Sequence, residues 1–168
     1  MRGGVGNWTQ AALAADGFTG FVQFAALPES DVPRGPGVYV VIRSSTATPV
    51  FLEQSPAGWL KGQDPSVSIA VLEEAWVPGA AIVYIGKANA GRRGRRGLYR
   101  RLDEYRRFGA GDKVPHRGGR HIWQLADHQD LLVGWKPTAD EHARLLEREM
   151  IAAFRAAHGK RPFANLVG

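Results

Sequence analysis

Residues 81–109, AIVYIGKANAGRRGRRGLYRRLDEYRRFG, set a short β-rich run directly against a burst of positive charge. The run AIVYIGKA (81–88) carries Ile82, Val83, Tyr84 and Ile85. Branched and aromatic side chains of this kind fit a pleated surface, so a strand is expected there. From residue 97 the pattern becomes helical. At about 100° per residue, Leu98, Leu102, Tyr105 and Phe108 share one arc, and Gly109 is the expected stop. Eight of the 17 arginines fall in residues 92–107.

A second run, GPGVYVVIRS (35–44), opens on Pro-Gly turn chemistry and continues as a strand. It is expected to pair with 81–88. Between the two lies an insert, 45–80, whose prolines and glycines break it into short apolar pieces and predict irregular structure with a short strand and a helical turn. HIWQL (121–125) and LLVGWKP (131–137) read as two strands joined by an acidic turn. PTADEHARLLEREMIAAFRAAHG (137–159) is the longest helix, with Thr138 and Glu141 in capping-box spacing and Gly159 at its end. The stretch MRGGVGNWTQAALAADG (1–17) has its apolar part broken by Asp16 and Gly17, so a short helix is expected rather than a signal peptide. The fold class is α/β in the α+β sense: a small central sheet built on the GVY and YIG strands, flanked by helices. One domain spans 1–168, with 1–34 as an N-terminal extension.

The chain has no cysteine, which excludes disulfides, zinc thiolates and a cysteine nucleophile and fits the cytoplasm. No apolar run reaches the roughly 18 residues of a membrane span, so no membrane partner is expected. The net charge of +6 is unevenly placed: residues 86–120 carry +9, and the rest of the chain carries −3. Charge concentrated in this way predicts a polyanion partner, nucleic acid.

Helical wheels separate ordinary charges from odd ones. Arg101 falls inside the apolar arc of its helix, whereas Arg100, Arg106 and Arg107 point away. In the long helix Ala143, Leu146, Met150, Ile151, Ala153, Phe154 and Ala157 form the buried side, and Glu147 lies among them. An inward arginine and an inward glutamate allow two explanations: a buried structural ion pair, or a polar site that needs a fixed cation and a fixed anion.

Taken together, these residues resemble the GIY-YIG nuclease superfamily. Gly37-Val38-Tyr39 and Tyr84-Ile85-Gly86 are similar to its two signatures. YIGKA reproduces the lysine, Lys87, that follows the second signature in the excision-repair incision nucleases. LYRRLDEY is similar to their Leu-x-x-Arg-(Val/Leu)-x-x-Tyr helix, with Arg101 and Tyr105 at the arginine and tyrosine positions. EREMI resembles the metal-ligand helix through Glu147, and PFAN the closing Pro-x-x-Asn through Asn165. The resemblance covers 35–165. The long insert between the signatures and the stretched arginine-glycine loop depart from the family pattern.

The resemblance implies a metal-dependent endonuclease acting on DNA, with one Mg²⁺ or Mn²⁺ held by Glu147 and waters. It implies that Arg101 grips the scissile phosphate and that Tyr39 is the general base, its pKa lowered by Lys87. Tyr84 and Tyr105 would orient water and phosphate. Gly37 and Gly86 would serve the backbone, Gly86 by allowing close approach, and Asn165 would brace the site or the C-terminal segment. Arg92, Arg93, Arg95, Arg96, Arg100 and Arg106 are expected to contact nucleic acid, and His116 with Arg117 and Arg120 to form a glycine-rich phosphate-contact loop. Of Trp59, Trp76, Trp123 and Trp135, only Trp59 reads as a stacking platform rather than core. The alternative is a non-catalytic nucleic-acid-binding module of the same fold.

Overall fold

The computed structural model describes residues 8–166. Four strands form one antiparallel sheet: β1 (Thr19–Gln23), β2 (Gly37–Ile42), β3 (Ile82–Ala88) and β4 (Leu132–Pro137), in the order β1-β4-β2-β3. β2 lies between β4 and β3 and is buried along its whole length, because helices cover both faces of the sheet. That explains a run such as GVYVVI, which has no polar alternation. The α+β architecture and the pairing of the GVY and YIG strands are as expected.

Helix α1 (Gln10–Ala15) is capped by Thr9, whose hydroxyl accepts from Ala12 N. Helix α2 (Ile69–Ala75) lies within the insert and is capped by Ser68. Helix α3 (Leu98–Gly109) packs Leu98, Leu102, Tyr105 and Phe108 against one face of the sheet, with Tyr39, Val41 and Tyr84. Helix α4 (Asp140–His158) packs Met150, Ile151 and Phe154 against the other, with Val38, Val40, Ile82 and Ile85. Burying a large apolar side chain contributes about 1.5–3 kcal/mol, so these two layers fix where α3 and α4 sit. Among the described residues, no helix is long and apolar enough to cross a membrane.

Four expectations need correction. Residues 121–125 are not a strand: Arg120–Gln124 is a 3₁₀ turn in which His121, Ile122, Trp123 and Gln124 are all buried. The Gln124 amide donates to Leu52 O (3.0 Å) and Val67 O (2.9 Å) and accepts from Val67 N (2.8 Å), stitching the insert to the body. The place beside β4 is taken instead by β1, out of the N-terminal extension. The capping box at Thr138 does not form, since its hydroxyl donates to Ala139 O, and Ala139 is the N-cap residue. Ala157 is exposed, while Leu146 and Ala153 are half-buried. Helix α3 stops one residue later than expected, with Ala110 as its C-cap.

Candidate active site

The β2–β3 register sets Tyr39 opposite Gly86 and Val41 opposite Tyr84. Successive strand residues point to opposite faces, so Tyr84 and Gly86 share the α3 face with Tyr39, and Lys87 turns toward α4. A Cβ on Gly86 would overlap the Tyr39 ring, so the glycine of YIG is what lets that ring lie against β3. Gly37 opens β2, opposite Ala88 on one side and Pro137 on the other. Asn165 works on the outer edge of β3. Its side chain accepts from Ile85 N (3.0 Å) and donates to Ile85 O (2.9 Å), pairing the edge as a further strand would.

Helix α3 delivers Arg101 and, one turn on, Tyr105; the loop after it delivers His116. The Tyr39 hydroxyl lies 3.0 Å from His116 Nε2. The His116 ring stacks on Tyr105, with centroids 3.8 Å apart and planes at 4°. Tyr105 donates to Gly119 O at 2.7 Å. A Cβ on Gly119 would overlap that hydroxyl, which is the physical use of the glycines in HRGGR. Tyr84 closes the cluster, its ring centroid 6.0 Å from Tyr39 and 5.5 Å from Tyr105. The Arg101 guanidinium donates to Pro115 O (3.0 Å), and its charge acts on all three phenols and on His116.

Burial dominates the proton affinities here. It pushes Tyr39 and Tyr105 well above the usual phenol value, with Tyr84 adding to both shifts and Arg101 opposing them. Tyr84 is raised too by burial, but Arg101 and the Tyr39 hydroxyl both favour its ionised form. His116 is held well below its usual value by burial and then by Arg101. It is therefore a neutral imidazole near pH 7, hydrogen-bonded through Nε2 to the Tyr39 hydroxyl.

This geometry revises several roles. Tyr39 is fully enclosed and its pKa is raised. Lys87, on the other face of the sheet, is not among the groups that act on it. Tyr84, 7% exposed, is the least enclosed of the three phenols. Tyr105 is fully buried with its proton committed to a backbone carbonyl, so it positions His116 rather than a phosphate. His116 is fully buried and belongs to the tyrosine cluster, not to a phosphate-contact loop. Arg117 donates to Gln63 O and Asp64 O, and Arg120 to Arg117 O, bracing that loop against the insert.

On the opposite face, Lys87 and Glu147 line a cleft of about 680 Å³ with Arg144, Arg148, Ile151, Ala152 and Arg155. The start of α4 is tied to the exit of β3 by Asp140, which accepts from Ala90 N (2.7 Å) and Asn89 Nδ2, and this holds Glu147 two turns further on. Glu147 is half-buried and makes no direct ion pair among the described residues. Burial raises its pKa, while Lys87, Arg101 and Arg144 pull it down. Its charge also reaches Tyr84 around the strand. The described residues contain no group of three or more His, Cys, Asp or Glu side chains able to hold a metal ion. A lone carboxylate without a direct partner suits a cation that keeps most of its waters, as Mg²⁺ does.

Among the arginines, Arg92, Arg93 and Arg95 are exposed in the loop before α3. Arg106 is paired with Asp103 at 2.7 Å. Arg96, Arg100 and Arg101 converge on Glu104, a buried carboxylate that the helical wheel does not single out. Its spacing four residues after Arg100 and three after Arg101 is the signal that could have found it. Trp59 is 51% exposed on the insert. Comparison with family models, curated proteins and solved structures returns no match.

The buried histidines set an acid limit on stability. His121 is lowered from 6.5 to about 4 by burial and then by Arg120, and His116 is lowered in the same sense. A histidine depressed in the folded state leaves the unfolded chain binding more protons between the two pKa values. Its contribution is therefore full above 6.5 and is lost as pH falls toward 4. Urea melts at neutral pH and near pH 5 should differ by roughly 2 kcal/mol from His121 alone. Equal midpoints would contradict the burial of these rings.

Proposed function

We propose that this chain is a metal-dependent endonuclease of the GIY-YIG type that hydrolyses phosphodiester bonds in DNA. The observation that carries the reading is the convergence of Tyr39, Tyr84, Tyr105 and His116 around one arginine, Arg101, with the Glu147 carboxylate acting on the same phenol, Tyr84. Phosphodiester hydrolysis requires deprotonation of water, neutralisation of charge on the phosphorane, and a stabilised leaving oxygen. Arg101 supplies a fixed cation with a planar donor edge for the phosphate.

Tyr84 in its phenolate form would accept the proton of the attacking water; the Arg101 guanidinium and the Tyr39 hydroxyl both favour that form against the burial that raises its pKa. His116, held neutral, keeps the Tyr39 hydroxyl in place through its Nε2 at 3.0 Å. Glu147 would hold Mg²⁺ or Mn²⁺, and the bound ion would supply charge neutralisation at the phosphate and leaving oxygen. Lys87 lines the same cleft as Glu147 and would add positive charge beside that ion.

Incubation of the protein with labelled single- and double-stranded DNA and either metal tests the activity directly; no cleavage under any of these conditions would overturn the reading. The exposed loop tests the partner. Replacing Arg92, Arg93 and Arg95 with alanine should reduce the log–log salt slope of duplex binding by about 0.9 for each phosphate the loop neutralises. An unchanged slope would place the DNA elsewhere.

A further inference from the structure

Where β2 ends and β3 begins lies a cavity of about 500 Å³ that shares no lining residue with the tyrosine cluster or with the Lys87–Glu147 cleft. Its size falls within the roughly 300–1,000 Å³ of small-molecule sites. Ile42, Trp76, Pro78 and Ala81 give it apolar walls, and Ser44 and Thr46 bring hydroxyls to it. Trp76 is held by edge contacts with Phe51 and Phe163, at centroid distances of 6.0 and 5.1 Å. An aromatic wall fixed in this way costs a ligand little ordering.

The charged group of the cavity is Arg43, which is only 7% exposed. Its backbone N donates to Ala81 O (2.8 Å), so it stands beside the start of β3. Nε donates to Asp127 Oδ2 at 2.9 Å, and Nη1 donates to Ser45 O (3.2 Å) and Ala47 O (2.8 Å). These bonds balance the charge and pin the loop after β2. They leave Nη2 with no hydrogen-bond partner among the described residues, and Nη2 is not sealed from solvent. That donor is therefore open to a molecule in the cavity that Arg43 lines.

A donor set among apolar walls selects an acceptor. The charge of the ligand follows from Asp127, which neutralises the cation from outside the lining. A carboxylate entering here would give up its hydration for a cation that is already paired. A cation would bring donors where an acceptor is needed. An uncharged oxygen loses the least hydration and still gains a charge-assisted hydrogen bond.

We propose that this cavity binds a small uncharged molecule with a planar apolar body and a carbonyl-type oxygen, an aromatic amide or a lactam. Its oxygen accepts from Arg43 Nη2 and its ring lies against Trp76. The site goes beyond the endonuclease reading and does not depend on it.

The test is a ¹H–¹⁵N NMR titration of the full chain, without DNA or metal, with benzamide, benzoate and benzamidinium, three probes of one shape and three charges. The signal followed is the Trp76 indole N–H, assigned with Trp76→Phe. Benzamide is expected to shift it saturably with a Kd of about a millimolar, and the two charged probes to bind about tenfold more weakly. Ala47→Phe adds a ring at the cavity wall and keeps the backbone carbonyl that Arg43 uses. It should retain the wild-type melting temperature and abolish the shift. Arg43→Lys should weaken benzamide about tenfold; if that variant does not fold, Ala47→Phe decides. No saturable shift with benzamide, or one that survives Ala47→Phe, would overturn the site. Equal affinity for all three probes, tighter binding of benzoate, or a folded Arg43→Lys that binds benzamide as wild type does would overturn the ligand class and the role of Arg43.

Discussion

Tyr84→Phe is expected to lower single-turnover DNA cleavage by ~10²-fold or more while leaving DNA affinity nearly unchanged. The ring and its packing on Tyr105 remain, and only the oxygen that would receive the proton from water is removed. Tyr39→Phe should also slow cleavage, because it removes a hydroxyl that favours the ionised form of Tyr84, but it has a second consequence. It leaves a fully buried imidazole nitrogen without its hydrogen bond, at a cost of about 1–3 kcal/mol. Reduced activity in that variant alone would therefore not distinguish chemistry from damage. The double variant Tyr39→Phe/His116→Phe does distinguish them. Replacing both partners with apolar rings should recover most of the stability but none of the rate. A double variant that regains both would make the Tyr39–His116 pair structural. Full activity in Tyr84→Phe would move the base away from this cluster.

The sequence carried the parts of this site that depend on local periodicity. Tyr39 and Tyr84 lie on strands rich in β-branched residues, and their faces follow from alternation once β2 and β3 pair. Arg101 and Glu147 stand out because a charge inside an apolar arc is costly to place. Long-range contacts are not legible. HIWQL alternates well enough to be a strand, but Gln124 finds its partners in the insert, more than fifty residues away in sequence. β1 is hidden for the opposite reason: it is short, carries a positive φ at Phe21 and is bulged between Gly20 and Val22. The place of His116 depends on a loop folding back over Tyr105, which no pattern of spacing encodes. The Arg96–Glu104 contact crosses the helix start at Gly97, outside the i,i+4 rule that makes Arg100–Glu104 readable.

Glu147→Gln is expected to abolish metal-dependent cleavage, by ~10²-fold or more, in a protein that folds and binds DNA normally. The inward position of this residue has two explanations, and the structure separates them in part. The arginine on the neighbouring helix, Arg101, directs its guanidinium to Glu104 and Pro115 O, so a close Arg101–Glu147 pair does not form. Glu147 instead carries a desolvation penalty without a direct partner, eased by the more distant charges of Lys87, Arg101 and Arg144. Removing the charge while keeping the volume should leave stability unchanged or slightly raised. A structural ion pair would behave in the opposite way, since breaking it costs about 3–5 kcal/mol. Thermal melts with and without Mg²⁺ or Mn²⁺ add a readout that does not depend on turnover: the metal should raise the melting temperature of wild type but not of the glutamine variant. A strongly destabilised Glu147→Gln, together with a wild type that neither cleaves DNA nor responds to metal, would leave a basic nucleic-acid-binding domain with a structural glutamate. A stable variant that still shifts DNA on a gel, yet shows neither cleavage nor metal response, would identify Glu147 as the metal ligand of a working nuclease.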